Sequence, residues 1–291
     1  MEYALFLGCV APLRYPEIES SIRSAMERLG VELHDMKGAS CCPAPGIYPH
    51  LDERTWLALG ARNLCLAENM ECDIMTICNG CQLTLDRINN ELSSDSILMK
   101  EVNSTLSTVD MRFRGTIKVK HFIDVLYEDI GIEQIKKETT SKLRDLKAAP
   151  FYGCHYLAFH HIKTSKRLEK LIEGLGAKNI EYDGKNECCG AGEGIRSTLR
   201  KLSLEIALSK IKNVAKANAD CVVDICPFCH LQLDQAQDRG KSGKKYYVPV
   251  VNYAQLLGLA LGIPPFKLGV DIRRTRTTTY LERVNTQTYL I

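Results

Sequence analysis

The chain has 291 residues, of which 45% are apolar and 25% are charged, and its net charge is +3. This composition is typical of a globular protein with a sizeable core, and the length predicts about two domains. The small and dispersed positive charge argues against nucleic-acid binding. The first residues do not resemble a signal peptide and no run is apolar enough to span a membrane, so we expect a cytoplasmic protein.

Apolar runs and helical periodicity predict strands and helices in alternation along the chain. The predicted strands are residues 3–8, 31–36, 73–77, 149–153, 178–182 and 221–225. The predicted helices are residues 15–29, 53–69, 80–91, 161–174, 194–217 and 228–237. Residues 91–117 are polar and are expected to be irregular, and the tail at 271–291 is expected to be loosely ordered. Alternating strands and helices predict the α/β class with parallel sheets.

The two halves of the chain repeat the same short segments in the same order. The matched pairs are FLGC (6–9) with FYGC (151–154), SCCPAPG (40–46) with ECCGAG (187–192), ICNGCQL (77–83) with ICPFCHL (225–231), and VKHFIDVL (119–126) with VVNYAQLL (250–257). Between the first cysteine and the Cys-Cys pair lie 31 residues in the first half and 33 in the second. This agreement predicts a tandem duplication with one repeat at 1–145 and the other at 146–291.

Thirteen cysteines are unusual for a chain with no sign of secretion. The cytosol keeps thiols reduced, so an odd number of cysteines there argues against a disulfide framework and favours metal binding. The motif cysteines follow predicted strands, and the carboxyl ends of parallel strands meet at one edge of a sheet. Cysteines that are distant in sequence should therefore converge at that edge. The Cys-x-x-Cys segments are also expected to open helices, whose N-termini favour thiolates.

Each half supplies five motif cysteines, whereas a structural zinc ion or a cubane iron–sulfur cluster takes four. One thiol per half is then a spare reactive group, or each half binds something larger than one tetrahedral site. The count favours iron–sulfur clusters, while zinc and redox-active thiols or disulfides stay open. Cys65, Cys72 and Cys221 have no cysteine counterpart in the other half and are interpreted as small buried apolar residues.

The doubled five-cysteine pattern resembles the cysteine-rich CCG-domain family, and within it the B-subunit family of the heterodisulfide reductases of methanogenic archaea. The resemblance covers essentially the whole chain and implies two Rossmann-like halves with clusters at the carboxyl ends of the strands. It implies two noncubane [4Fe–4S] clusters, one per half. The implied ligands are Cys9, Cys41, Cys42, Cys78 and Cys81 in the first half, and Cys154, Cys188, Cys189, Cys226 and Cys229 in the second.

The same resemblance implies a catalytic subunit that reduces the mixed disulfide of coenzyme M and coenzyme B to two thiols, with each cluster delivering one electron. The implied partners are a small ferredoxin-like [4Fe–4S] subunit of the C type and, indirectly, a flavin-containing subunit of the A type. The alternative function is an electron-transfer iron–sulfur subunit of a lactate, glycolate or glycerol-3-phosphate dehydrogenase. A structural zinc protein is a third hypothesis.

One departure from the family pattern lies in the first half, which reads Cys-Cys-Pro where the second reads Cys-Cys-Gly. Zinc in the first half is therefore the alternative cofactor. His155 follows Cys154 and His230 follows Cys229, so each is a candidate proton donor to a departing thiolate, with His155 favoured. His34, His50, His160 and His161 are interpreted as surface or loop residues, and His121, which aligns with Asn252, as a residue that orients a loop.

Overall fold

The chain forms two four-stranded parallel sheets in a computed structural model that describes residues 1–160, 166–239 and 247–270. The first sheet has the order β2-β1-β3-β4 and the second has the order β6-β5-β7-β8, so the two sheets share one topology. The strands of the first sheet are β1 (Glu2–Phe6), β2 (Glu32–Asp35), β3 (Ile74–Thr76) and β4 (Val119–His121). Those of the second are β5 (Lys147–Phe151), β6 (Lys178–Asn179), β7 (Cys221–Asp224) and β8 (Val250–Asn252).

Helices connect these strands in both halves. The helices of the first half are α1 (Val10–Arg14), α2 (Pro16–Arg28), α3 (Tyr48–Leu51), α4 (Glu53–Asn69), α5 (Asn79–Ser94), α6 (Ser96–Leu106), α7 (Phe122–Asp124) and α8 (Ile132–Glu138). Those of the second are α9 (Cys154–Phe159), α10 (Arg167–Gly174), α11 (Ile195–Thr198), α12 (Arg200–Lys216), α13 (Pro227–Arg239) and α14 (Tyr253–Ala260). A π-helical turn, Val125–Ile130, continues α7, and 3-10 turns lie at Ser107–Val109 and Pro265–Leu268. The fold is therefore the predicted duplicated α/β arrangement.

Local sequence signals explain several helix boundaries. Pro16 occupies the first turn of α2, where its missing N–H costs nothing, and Gly30 with a φ of +74° follows that helix. Asp52 caps α4 by accepting a hydrogen bond from the backbone N–H of Thr55 at 3.0 Å. Asp95 caps α6 in the same way through Ile97 and Leu98. These caps set the starts of two neighbouring helices of the first half.

Three sequence predictions need correction. Residues 91–117 contain helix α6, whose apolar side chains Val102 and Leu106 are buried, so this segment is not irregular throughout. The helix predicted at 194–217 is two helices that meet at Leu199. The fourth strand of each sheet, β4 and β8, was not predicted because three residues carry too little periodicity. Residues 161–165 and the tail 271–291 lie outside the described residues.

The largest buried cluster of apolar side chains is shared by the two halves. It contains Ile22 and Met26 of α2 together with Leu256 and Leu257 of α14 and Leu171 of α10. Two further clusters belong to the separate halves, one under α4 and α5 and the other under α12 and α13. Burial of a common core holds the repeats against each other, since apolar area removed from water stabilises the association.

A buried polar network also joins the halves. The carboxylate of Asp124, in α7 of the first half, accepts hydrogen bonds from the Tyr156 hydroxyl and the Arg167 guanidinium, both at 2.6 Å. It also accepts one from the Gln82 amide at 3.0 Å, and His160 Nε2 lies 3.1 Å away. His160 is therefore not the surface or loop residue that the sequence suggested. Elsewhere between the halves, the Tyr15 hydroxyl donates to Asp234 at 2.9 Å.

Candidate functional site

The ten motif cysteines lie beyond the carboxyl ends of the strands, at the edge where the two sheets face each other. Cys9 follows β1 and directly precedes α1, and Cys154 follows β5 and begins α9. Cys78 is the N-terminal flanking residue of α5, and Cys226 directly precedes α13, which has Pro227 as its first residue. The Cys-x-x-Cys segments thus open helices as predicted. The free backbone N–H groups of a helix N-terminus favour thiolate over thiol.

The thiols form a single series of interacting neighbours that crosses from one half to the other. The Sγ atoms of Cys78 and Cys226 lie 3.7 Å apart, although these residues are separated by 148 positions. In the second half, Cys154 lies 3.7 Å from Cys188, and Cys189 lies 3.3 Å from Cys229. Mutual shifts of pKa link further neighbours into the series, and they couple Cys9 with Cys41, Cys41 with Cys42, Cys42 with Cys81, Cys81 with Cys78, Cys226 with Cys229, and Cys188 with Cys189.

Neighbouring thiols in this series shift each other's pKa values in opposite directions. Hydrogen bonds from Cys41 and Cys81 lower the pKa of Cys42 to about 5. Hydrogen bonds from Cys154 and Cys189 lower the pKa of Cys188 to about 2, while the bond to Cys188 raises the pKa of Cys189 to about 12. So many crowded thiols cannot all ionise unless cationic metal compensates their charge, because metal binding displaces thiol protons. The donor set therefore suits a metal-rich group.

Both halves line one cavity of about 650 Å³. Its walls contain nine of the ten motif cysteines, with Cys188 as the exception. Helices α3 and α11 border the same cavity through Tyr48, Arg196 and Ser197. The volume is that of an ordinary ligand pocket, and it is large enough for inorganic groups with a small organic substrate between them.

Two glycines with positive φ let cavity thiols lie close to the backbone. Gly8 has a φ of +67°, and a Cβ atom there would lie 2.8 Å from the Sγ of Cys81. Gly153 has a φ of +81°, and its Cβ would lie 2.7 Å from the Nδ2 of Asn79 and 3.1 Å from the Sγ of Cys229. The repeated Gly-Cys dipeptide was visible in the matched FLGC and FYGC segments as a signal for this role. Gly80, within the first Cys-x-x-Cys segment, plays no such role, because a Cβ there would lie no closer than 3.7 Å to its neighbours.

The two Cys-Cys loops differ as their sequences do. The backbone N–H of Gly190 donates to the Sγ of Cys188 at 3.2 Å, and Gly190 has a φ of +83°. Pro43 occupies the matching position in the first half and has no N–H to donate. Its carbonyl instead accepts a hydrogen bond from the Thr84 hydroxyl at 2.9 Å. The Cys-Cys sulfur atoms of the first half therefore lack the backbone hydrogen bond that Gly190 gives in the second.

His155 and Glu193 lie together on the wall of the cavity. The Nε2 atom of His155 lies 2.9 Å from a carboxylate oxygen of Glu193, and both residues belong to the second half. Arg196 lines the cavity nearby and donates to the side-chain oxygens of Gln232 and Gln235, the latter at 2.7 Å. Glu193 and Arg196 were not singled out from the sequence, because they lie in a loop and a short helix with no spacing signal.

His230 takes no part in the cavity wall. It is fully buried, and its Nδ1 lies 2.7 Å from the carboxylate of Asp224, which also accepts a hydrogen bond from Asn252 at 3.0 Å. Asn252 and His121 are equivalent in the two repeats, since each caps the helix that follows the fourth strand. The sequence alignment of these two residues thus corresponds to a shared capping role. His50 is in α3, and His34 is on strand β2.

The three cysteines outside the motif are buried and free. Cys65 lies in α4 and Cys221 begins β7, and both are essentially inaccessible to solvent. Cys72 precedes β3 at the opposite end of the first sheet from the cavity. Cys65 and Cys221 match the interpretation as small buried apolar side chains.

The chain belongs to the cysteine-rich (CCG) domain family, which matches residues 3–86 and again residues 148–234. It is similar to the B subunit of the ferredoxin:CoB-CoM heterodisulfide reductase of Methanosarcina mazei, with 43% identity over 97% of this chain and 96% of that protein. It is also similar to the 8-methylmenaquinol:fumarate reductase membrane anchor subunit of Wolinella succinogenes, with 36% identity over 93% of this chain and 95% of the relative.

A solved structure shares the fold. The crystal structure of a hypothetical protein from Helicobacter pylori superposes with a TM-score of 0.73, at 14% identity, over 93% of this chain and 51% of that one. Within the described residues, no helix combines the length and the apolar character that crossing a bilayer demands.

Proposed function

We propose that this chain is the iron–sulfur catalytic subunit of an enzyme that reduces the coenzyme M–coenzyme B heterodisulfide to two thiols. The observation that carries the proposal is the series of interacting thiols around one cavity, joined across the two halves at Cys78 and Cys226. The proposed ligands of one noncubane [4Fe–4S] cluster are Cys9, Cys41, Cys42, Cys78 and Cys81, and those of the other are Cys154, Cys188, Cys189, Cys226 and Cys229.

The residues suit this cofactor in number and in shape. Thiolates are the soft donors that iron–sulfur clusters take, and five per half exceed the four that a cubane or a structural zinc uses. Gly8 and Gly153 let the sulfur atoms of Cys81 and Cys229 lie close to the backbone, where a Cβ atom would displace them.

The overall reaction is R–S–S–R′ + 2 e⁻ + 2 H⁺ → R–SH + R′–SH. The chemistry that the two bound clusters supply is one-electron transfer from each, which together gives the electron pair that cleaves the S–S bond. The protein positions the substrate, because cysteines of both sets line the cavity that would hold it. It also supplies protons and charge compensation from the cavity wall.

His155 is the proposed proton donor to one departing thiolate. Its Nε2 lies 2.9 Å from a carboxylate oxygen of Glu193, and this contact holds the imidazole in place on the cavity wall. His230, in contrast, is buried against Asp224 and positions the backbone around Cys226, whose N–H donates to Asp224 at 3.2 Å.

Arg196 is the proposed binding group for an anionic end of the substrate. Among the described residues that line the cavity, Arg196 and His155 are the side chains that can carry positive charge. Gln232 and Gln235 hold the guanidinium in place from helix α13, and a pre-oriented guanidinium binds sulfonate, phosphate or carboxylate groups well.

The similarity to a protein named as the B subunit of a heterodisulfide reductase supports the proposed substrate and assembly. The proposed partners are a small ferredoxin-like [4Fe–4S] subunit of the C type, which hands on electrons, and indirectly a flavin-containing subunit of the A type. The proposed location is the cytoplasm. The alternative is an electron-transfer subunit of a related dehydrogenase, which the similarity to a fumarate reductase subunit favours.

Anaerobic kinetics with the iron–sulfur-loaded protein test the proposal. Reduced viologen dye should be oxidised when the heterodisulfide is added, and electron paramagnetic resonance should show a signal that depends on the substrate. Metal analysis should give about eight irons per chain and no zinc in the cysteine sets. Dye oxidation that does not depend on the disulfide would support the electron-transfer alternative. Zinc in place of about four of the irons would show that one cysteine set binds zinc and not an iron–sulfur cluster.

Replacing the two cavity side chains separates their roles. His155→Gln should flatten the pH dependence of turnover while the electron paramagnetic resonance of the reduced protein stays unchanged. Arg196→Gln should raise KM at least tenfold with a smaller change in kcat, because it removes ground-state binding of an anionic group.

A further inference from the structure

We propose a second metal site, for one divalent cation of the zinc class, at the amino-terminal edge of the first sheet. Its donors are Glu2, His34 and Cys72, and Glu32 lies at its rim. The site lies at the opposite end of the strands from the cysteine cavity, and it does not depend on the function proposed above.

Strand register places the donors together. In the parallel pair β1 and β2, Glu2 lies opposite Glu32 and Ala4 lies opposite His34. Side chains two residues apart on a strand point to the same face, so Glu32 and His34 share the face of Glu2. Cys72 enters the same space from the loop between α4 and β3, with its backbone N–H bonded to the carbonyl of Ala67.

The distances are those of a loosely assembled metal site. His34 Nε2 lies 2.9 Å from a carboxylate oxygen of Glu2 and 3.9 Å from one of Glu32. The donor atoms of Glu2, His34 and Cys72 all lie within 4.8 Å of one another. Donors bound to one tetrahedral zinc are separated by roughly 3.3–3.7 Å, given bond lengths of about 2.0–2.3 Å. Adjustments of side-chain rotamers therefore suffice to close the site.

The environment favours a cation that takes a mixed donor set. Cys72 is 6% exposed, whereas the His34 side chain is 33% exposed, so the thiol forms the floor of the site and the carboxylates form an open rim. The carboxylates of Glu2 and Glu32 bring negative charge to the site, which a divalent cation balances. Zinc accepts thiolate, imidazole and carboxylate ligands alike, which suits this mixed set.

Proton balance follows from the ligands. Binding of the cation forms bonds to the Cys72 thiolate, to Nε2 of His34 and to a Glu2 carboxylate oxygen, and it releases the thiol proton to solvent. The proton that Nε2 donates to Glu2 in the metal-free site moves through solvent to Nδ1, and no oxidant or reductant is needed.

The duplication gives an internal comparison. The residues of the second half that match Glu2, Glu32 and Cys72 are Lys147, Lys178 and Asp220. There the carboxylate of Asp220 accepts a hydrogen bond from the backbone N–H of Lys147 at 2.8 Å, and the two lysines offer cations in place of donors. The donor set is thus peculiar to the first half. A metal bound there would tie the edge strand β2 to β1 and to the start of β3.

Zinc uptake by the iron–sulfur-loaded protein, carrying any purification tag at its carboxyl end, tests the proposal. The protein is equilibrated anaerobically with one equivalent of Zn²⁺, and zinc and iron are measured together. We expect one zinc per chain with the iron content unchanged. Zinc K-edge X-ray absorption should show a single sulfur ligand at about 2.3 Å with nitrogen and oxygen ligands at about 2.0–2.2 Å.

Matched variants locate the site. His34→Gln and Cys72→Ser should each weaken zinc binding at least tenfold, whereas Cys65→Ser, at another buried thiol of the same half, should not. His34 lies on an exposed edge strand, so that variant reports on binding even if Cys72→Ser does not fold. The proposal is overturned if the wild-type protein takes up no zinc, if the zinc has only sulfur ligands, or if His34→Gln binds it as tightly as the wild type.

Discussion

The Sγ atoms of Cys78 and Cys226 lie 3.7 Å apart, and this contact joins the cysteine sets of the two repeats. Each residue sits at the N-terminus of the helix that follows the third strand of its sheet. The parallel topology therefore brings both cysteines to the same edge, and the shared apolar core presses the two edges together. A two-electron reduction of a two-sulfur substrate suits a site with one half contributed by each repeat.

Gly8→Ala should displace the metal group of the first half and lower the iron content of the protein by about half. The new Cβ would lie 2.8 Å from the Sγ of Cys81. Gly30→Ala is the matched control, since Gly30 has a similar φ of +74° but nothing within 4 Å of the added atom. Iron analysis after anaerobic purification compares the iron content of Gly8→Ala and Gly30→Ala. Equal iron in both variants would contradict a cluster seated at Cys81.

Lys210→Met should lower one of two reduction potentials by ~60 mV, which corresponds to about 1.4 kcal/mol for one electron. Lys210 is 3% exposed, donates to the carbonyl of Gly184 and lies 4.7 Å from the ring of Phe151. A buried cation near the second cysteine set stabilises an added electron there.

Its counterpart in the first repeat, Arg62, donates to the carbonyl of Gly38 at 2.9 Å and is more exposed, so Arg62→Met should shift the other potential less. A potentiometric titration followed by electron paramagnetic resonance measures both potentials. Identical shifts in the two variants, or no shift in Lys210→Met, would argue against this charge effect.

Much of the architecture could be predicted because both repeats carry the same sequence signals in the same order. The helix predicted at 53–69 is α4 (Glu53–Asn69), and the Cys-x-x-Cys segments open helices as expected. Cysteines after apolar strand sequences converge because parallel strands end at one edge. The strands β4 and β8 were visible only as a matched pair of segments, since three residues have no measurable period.

The parts that could not be predicted depend on contacts between distant residues. Nothing local to Asp124 indicates that Tyr156 and Arg167 of the other repeat will reach it. The pairing of His155 with Glu193 likewise spans 38 positions and joins a helix to a loop. Alignment of the halves could have shown Lys210 opposite Arg62, but it could not have shown that only Lys210 is buried.

Asp86→Asn should stabilise the protein at pH 8. Burial raises the pKa of Asp86 to about 6, against the lowering effect of its hydrogen bond from Asn90 and of the charge of His160. A carboxyl whose folded pKa exceeds its unfolded value contributes stability below about pH 4 and loses it as the pH rises through 6. Because Asp86 is partly exposed, solvent screens its charge, and we expect the substitution to raise the free energy of unfolding by only ~1 kcal/mol at pH 8.

Urea unfolding of the wild type and of Asp86→Asn at several pH values measures the gain in the free energy of unfolding. The gain should be about half as large at pH 5, where the carboxyl is mostly protonated in the folded protein. A gain that is independent of pH would show that packing or the Asn90 hydrogen bond, and not ionisation, is responsible.

Asp124→Asn should reduce the free energy of unfolding by ~3 kcal/mol at neutral pH, because it leaves the guanidinium of Arg167 without its buried carboxylate. Burial raises the pKa of Asp124, but its contacts with His160, His121 and Tyr156 outweigh this and hold the pKa well below its usual range. The stabilisation is therefore present above about pH 4 and is lost as the pH falls further.

Tyr156→Phe is the graded control for this network, since it removes one hydrogen bond and leaves the charge pair with Arg167 intact. We expect it to cost only ~1 kcal/mol. Urea titrations of the two variants and the wild type at pH 7 supply the comparison. Arg167 also pairs with Glu128 at 2.6 Å, which limits the loss in Asp124→Asn. If Asp124→Asn cost no more than Tyr156→Phe, the charge of the carboxylate would add nothing to the association of the repeats beyond a neutral hydrogen bond.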